Sequence, residues 1–229
     1  SSAAEHRYVR NHAGLFDQSS FGKFTVSGKD ALAALERLSA NKIDVAEGRV
    51  VYTQWLNDWG GIEADLTITR TSQTDFTIIT GAGVTRRDLT RLRRIASGFA
   101  DVEIADVSLD RAVIGLMGPM ARNILQPLAE TDLTHAAFRF ARAKETSVAG
   151  VPARLTRITY MGELGWEISC AAKDAVTVWR ALASAGAKPA GMHAMDSLRI
   201  EKGYRHWGHD ISPEDNPFEA GLDFVVKLD

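Results

Sequence analysis

The chain has 229 residues, 45% of them hydrophobic and 24% charged, a balance that builds a packed core and excludes intrinsic disorder, collagen-like repeats and coiled coil. That length suits one large domain or two ordinary ones. Lysine plus arginine number 27 against 29 aspartates plus glutamates, a formal charge of -2, too balanced for the broad positive field that phosphate backbones require, so nucleic acid is not an expected partner.

The opening SSAAEHRYVRNHAG lacks the basic-then-apolar plan of a signal peptide, and no later run approaches the roughly 18 apolar residues of a membrane span, so neither a targeting address nor a membrane partner is expected. FGKFTVSG predicts a strand ending at a glycine, and KDALAALERLSANKID a helix with Ala31, Leu32, Leu35 and Leu38 at helical spacing. VVYTQWLN, ADLTITR and DFTIITG are extended runs rich in β-branched residues, separated by the turn sequences DWGGIE and TSQT, which predicts an antiparallel meander. VTRRDLTRLRRIASG predicts a basic amphipathic helix closed by Gly98, its arginines read as a solvated face. DVEIADVS and RAVIGLMG read as strands, and PMARNILQPLAE as a helix opening at Pro119.

FRFARAKETSV, ARLTRITY and WEISC follow as strands, then AKDAVTVWRALASAG and HAMDSLRIEKG as helices, the second ending at Gly203. The single cysteine, Cys170, sits in the apolar WEISC strand and reads as packing; alone it forms no internal disulfide and fits a reducing, cytoplasmic compartment. Strands and helices mix without strict βαβ alternation. This predicts an α+β fold of antiparallel sheets flanked by helices in two sub-domains, A of about residues 1–45 with 119–229 and B of about 46–118.

Strand alternation puts Asp65, Thr67 and Thr69 of ADLTITR on one face and Leu66 and Ile68 on the other. An aspartate in mid-strand needs water, a donor or a ligand, and a solvated sheet face satisfies the pattern as well as a binding site does. In ITYMGELGWEIS, Tyr160 ends a strand, Gly162 and Gly165 frame a turn, and Glu167 points away from Trp166 and Ile168, either to solvent or into a cleft between the sub-domains. In a cleft its carboxylate could accept two parallel N–H bonds from an amidine-like ligand edge. His206, His209 and Asp210 stand close together without a metalloenzyme spacing, so no metal site is expected. ITGAG lacks the rest of a dinucleotide fingerprint.

Taken in order, GLFDQSSFGKFTVSG, VYTQWLNDWGGIEADLTITR, LMGPMARNIL, TYMGELGWEIS and DSLRIEKGYRHWGHDISPEDNPFEAGLDFVVKLD resemble the folate-dependent aminomethyltransferases, the T-protein of the glycine cleavage system and its relatives, almost end to end. SSFGKF, EKGYRHWGHDI and NPFEAGLDFVVKLD are nearest in wording to the folate-binding half of dimethylglycine and sarcosine dehydrogenases. The resemblance implies the T-protein fold, tetrahydrofolate as cofactor, and transfer of a one-carbon unit to give 5,10-methylenetetrahydrofolate from a small amine or aminomethyl donor. It also implies a flavin dehydrogenase domain or partner. The family continues into a small C-terminal β-barrel where this sequence stops, so a trimmed piece is expected. Related activities of the same fold are folate-dependent demethylation, which moves a methyl group, and folate binding without catalysis.

The resemblance further implies roles for single residues. Asp65 falls on the aspartate beside the transfer nitrogens of folate, where it would orient the amine and stabilise developing positive charge. Glu167 falls on the glutamate that grips the pterin ring, and Tyr52 and Tyr160 on aromatic positions that stack on or pack the folate. Thr67, Ile79 and Phe224 are implied as further lining. One departure stands out: T-proteins carry an arginine where this chain has Met195, which leaves the hold on the folate tail open.

Overall fold

The computed structural model describes residues 1–228. In chain order its elements are α1 (Ser2–Asn11), β1 (Gly14–Asp17), β2 (Gly22–Ser27), α2 (Ala31–Leu38), β3 (Val50–Leu56), β4 (Ile62–Arg70), β5 (Asp75–Thr80), α3 (Thr85–Ala96), β6 (Glu103–Asp106) and β7 (Arg111–Met117). Then follow α4 (Ala121–Leu125), β8 (Arg142–Val148), β9 (Val151–Arg157), β10 (Gly165–Ala171), α5 (Ala175–Ser184), β11 (Lys188–Pro189) and α6 (Met192–Glu201).

The chain divides into two compact units. Unit 1 comprises Ser1–Ser20 and Leu109–Tyr204; unit 2 comprises Phe21–Ser108 and the segment from Arg205 to the end of the described chain. These boundaries differ from those expected near residues 45 and 118. The physical reasons are two: β2 hydrogen-bonds between β5 and β6 inside the sheet of unit 2, and Ile211, Ala220, Leu222 and Val225 pack with Ile62 of that unit.

Unit 1 is built on a six-stranded sheet in the order β11-β1-β7-β10-β9-β8, antiparallel except for the short parallel pairing of β1 with β11. One face buries Ile114, Leu116, Leu155, Trp166, Ile168 and Cys170 against Leu125 of α4 and Val178 and Leu182 of α5. Each such fully buried side chain contributes about 1.5–3 kcal/mol. On the other face Val9 of α1 and Met195 and Leu198 of α6 pack on Phe16 and Met117.

Unit 2 is a five-stranded antiparallel sheet in the order β3-β4-β5-β2-β6. Phe24, Val26, Leu66, Ile68, Phe76 and Ile78 point from one face into a core closed by Ala31, Leu35 and Leu38 of α2 and Leu89 and Leu92 of α3. The period-2 alternation of these strands leaves the opposite face to the polar residues between them.

Candidate functional site

In unit 2, β4 lies between β3 and β5 with Tyr52, Thr67 and Ile79 in one cross-strand row and Gln54 opposite Asp65. Ala64, Leu66 and Ile68 enter the core, so Asp65 and this row occupy the face away from the helices, as the alternation predicts. Asp65 is half-buried. It accepts hydrogen bonds from the Tyr52 hydroxyl and from Gln54 Nε2, the latter at 3.3 Å. Burial pushes its carboxyl up to about 6, and the two donors offset only part of that rise. The Tyr52 hydroxyl therefore serves the carboxylate, while its ring lies 6.1 Å from that of Phe224, which is exposed. The row runs on from Ile79 to Lys23, a buried lysine whose Nζ donates to the Phe21 carbonyl at 2.8 Å. Sequence reasoning missed Gln54 and Lys23. The local signal was weak: each is a polar residue one step from a core residue, Trp55 or Phe24, but β3 also carries Thr53 and β2 also carries Thr25 and Ser27.

In unit 1, β10 places Trp166 and Ile168 in the core and Glu167 on the opposite face. Register sets Glu167 between Gly115 of β7 and Thr156 of β9, and Gly115 between Glu167 and Phe16 of β1. Solvation of Glu167 is ruled out, because the residue is only 6% exposed. Its Oε2 has no hydrogen-bond partner, and burial pushes the carboxyl up to about 7. Gln18, 2% exposed, also leaves both its amide oxygen and nitrogen unpartnered. A Cβ added at Gly115 would lie 2.6 Å from Gln18 Oε1. The absence of a side chain at Gly115 is thus what lets Gln18 lie over β7, against the register partner of Glu167. A buried polar group without a partner costs about 1–3 kcal/mol, so each of these groups calls for an explanation.

The turn before β10 is held from several sides. Gly162 has φ +72, and a Cβ there would come within 2.4 Å of Lys202 Cγ. Arg10 of α1 donates to the Met161 carbonyl and to Glu163 Oε1, each at 2.7 Å, and to the Leu198 carbonyl of α6 at 2.8 Å. Tyr160, half-buried, meets Tyr204 edge-on with ring centroids 6.1 Å apart and packs beside Met161 and the buried Met195. His206 donates its backbone N–H to Asp210 at 2.9 Å, and the ring centroids of His206 and His209 lie 4.4 Å apart with the planes tilted by 35°. Among the described residues no group of three or more His, Cys, Asp or Glu side chains could hold a metal ion, and no helix is long and apolar enough to cross a membrane. The arginines of α3 are not all solvated. Arg86, Arg93 and Arg94 are exposed, but Arg87 and Arg91 donate to the carbonyls of Glu63 and Leu56, and Arg87 lies 4.1 Å from the Trp207 ring.

The family model of the GCVT N-terminal domain matches residues 1–229. The chain is 41% identical over 231 residues to 4-methylaminobutanoate oxidase (formaldehyde-forming) of Paenarthrobacter nicotinovorans, covering 99% of this chain and 28% of that protein. It is 36% identical over 230 residues to human mitochondrial dimethylglycine dehydrogenase, covering 98% and 26%. With the aminomethyltransferase of Thermus thermophilus it shares 41% identity over 226 residues, covering 97% and 63%. Among solved structures, glycine cleavage system aminomethyltransferase T from Bartonella henselae matches with a TM-score of 0.89 and 30% identity over 99% of this chain and 61% of that one. The chain therefore spans between 26% and 63% of the length of these relatives.

Proposed function

This chain belongs to the GCVT N-terminal domain family, and from that premise we propose that it binds tetrahydrofolate and transfers a one-carbon unit to it. The observation that carries the reading is the buried Glu167, whose Oε2 has no partner and whose register neighbour is a glycine. A pterin fits these residues. Its 2-amino group and ring N–H form a two-donor edge that one carboxylate accepts, and a flat ring suits a strand that carries no side chain at Gly115.

Bound tetrahydrofolate supplies the amine nitrogens that take up the one-carbon unit, giving 5,10-methylenetetrahydrofolate. Glu167 holds the pterin edge by accepting its N–H groups. Asp65, fixed by Tyr52 and Gln54, presents a negative charge to the positive charge that develops on nitrogen during transfer. With its carboxyl near 6, the same group can hold a proton at Oδ1 or Oδ2 near neutral pH. Tyr160 in unit 1, and Tyr52, Thr67, Ile79 and Phe224 in unit 2, are the further residues proposed to contact the folate. The one-carbon donor is a small aminomethyl compound or the imine that a flavin dehydrogenase domain or partner makes by taking two electrons from an N-methyl amine, a reading supported by 36% identity to dimethylglycine dehydrogenase. The free, buried Cys170 suits a reducing, cytoplasmic setting.

Thermal unfolding with tetrahydrofolate tests the proposal. At a hundred times its dissociation constant the ligand stabilises the chain by about 2.7 kcal/mol, and Glu167→Ala removes the shift. No shift in the unsubstituted chain overturns the function. Asp65→Asn is expected to keep binding and lose methylene transfer; transfer at the unsubstituted rate removes Asp65 from the chemistry.

A further inference from the structure

We propose that Gln18 is a second ligand-reading residue in unit 1, its side-chain amide donating to a ring oxo group that Glu167 cannot serve, so that the site selects a 4-oxo heterocycle. The inference rests on the folate reading of Glu167 and extends it. Gln18 follows β1, and its backbone N–H donates to the Val113 carbonyl at 3.0 Å. Next along, Ser19 Oγ accepts from the Val113 N–H at 3.2 Å, so the backbone is fixed on β7. Two-residue alternation from Phe16 then sends the Gln18 side chain to the face that carries Glu167. It arrives over Gly115, where a Cβ would collide with its oxygen.

At 2% exposure with neither amide atom bonded, Gln18 carries a polar cost that a leucine or methionine of similar volume would avoid. What it offers in return is complementary to its neighbour. An ionised carboxylate only accepts hydrogen bonds, which suits the 2-amino and N3 positions of a pterin but not the oxo group next to N3. In unit 1 the buried side-chain donors without a partner, among the described residues, are Gln18 Nε2 and Trp166 Nε1. Trp166 lies in the core on the other face of the sheet, which leaves Gln18 Nε2 for the oxo group.

Gln18→Met tests the assignment by two readings on the same protein, the dissociation constant for tetrahydrofolate and the unfolding midpoint without ligand. The expected result is binding weakened about threefold to tenfold, the range of one neutral hydrogen bond, with a midpoint that does not fall. Gln18→Glu, which keeps the shape without the N–H donor, is expected to weaken binding as well and serves if the methionine variant does not fold. An unchanged dissociation constant in either variant overturns the proposal. Glu167→Gln is the control. If the unsubstituted chain binds no tetrahydrofolate, the reading of the whole site fails; if it binds, Glu167→Gln weakens binding and the Gln18 variants do not, only the Gln18 assignment fails.

Discussion

Replacing Glu167 by glutamine removes a group whose proton count must change when a pterin binds. Burial pushes the Glu167 carboxyl up to about 7, so about half of the ligand-free molecules carry a proton there at neutral pH. Accepting two N–H donors favours the charged form. Binding should therefore release about half a proton per chain near pH 7, close to one near pH 6, and almost none near pH 9. Asp65, pushed up to about 6, is only about one-tenth protonated at pH 7 and contributes little. Titration calorimetry with tetrahydrofolate in phosphate and in Tris reads this number, because the observed heat varies with the ionisation enthalpy of the buffer in proportion to the protons released. Glu167→Gln should abolish the release and weaken binding about 10- to 150-fold, as the loss of bonds worth about 1.5–3 kcal/mol to a charged group requires. A release that is absent in the unsubstituted chain, or equal in Glu167→Gln, refutes the reasoning.

Because Glu167 binds its proton more tightly in the folded state than at its ordinary value of 4.5, its contribution to stability is present below about pH 4.5 and is lost as pH rises through about 7. Denaturant melts of the ligand-free chain should show stability declining over that window by a few kcal/mol, and Glu167→Gln should flatten the decline and be the more stable variant at pH 8; a less stable variant there contradicts the burial argument. Tyr52→Phe removes a donor that holds the Asp65 carboxyl down, so the acid limb of the pH–rate profile for methylene transfer should move upward; an unmoved limb separates Tyr52 from the proposed role of Asp65. Gly115→Ala places a Cβ against Gln18 Oε1 and should lower affinity for tetrahydrofolate; unchanged affinity, measured by the same calorimetry, means that the amide moves aside without consequence.

Much of the fold was legible because long strands and helices carry their own period. The meander of β3, β4 and β5, the helices α3, α5 and α6, and the strand pair β9 and β10 all stand where apolar alternation or helical spacing put them. The segments that were not read are those whose structure comes from partners. β1 and β11 are too short to show a period and exist through pairing with each other and of β1 with β7. α1 buries only Val9, which joins the apolar cluster with Phe16 and Met117, and the rest of its attachment is polar, through Arg10. The unit boundaries were misplaced for a similar reason: β2 precedes the meander in sequence but joins the sheet beyond β5, a pairing that no local pattern announces.

The same distinction separates the proposed site residues. The placement of Asp65 and Glu167 away from the apolar cores was legible because a carboxylate alternating with apolar residues is conspicuous within a single strand, and the resemblance to the folate enzymes pointed at both. Gln18 was not. Its burial comes from Gly115, nearly a hundred residues later, and nothing near Gln18 in sequence reveals that a glycine of β7 makes room for its amide. Gln54 was passed over because its role depends on facing Asp65 across β3 and β4.

A crystal structure of the chain with tetrahydrofolate decides whether Glu167 is the pterin anchor. The expected density has the 2-amino and N3 edge of the ring about 2.7–3.2 Å from the Glu167 carboxylate, with the oxo group turned to Gln18 Nε2. A ring bound elsewhere, with Glu167 and Gln18 still unpartnered or joined only to water, would contradict it.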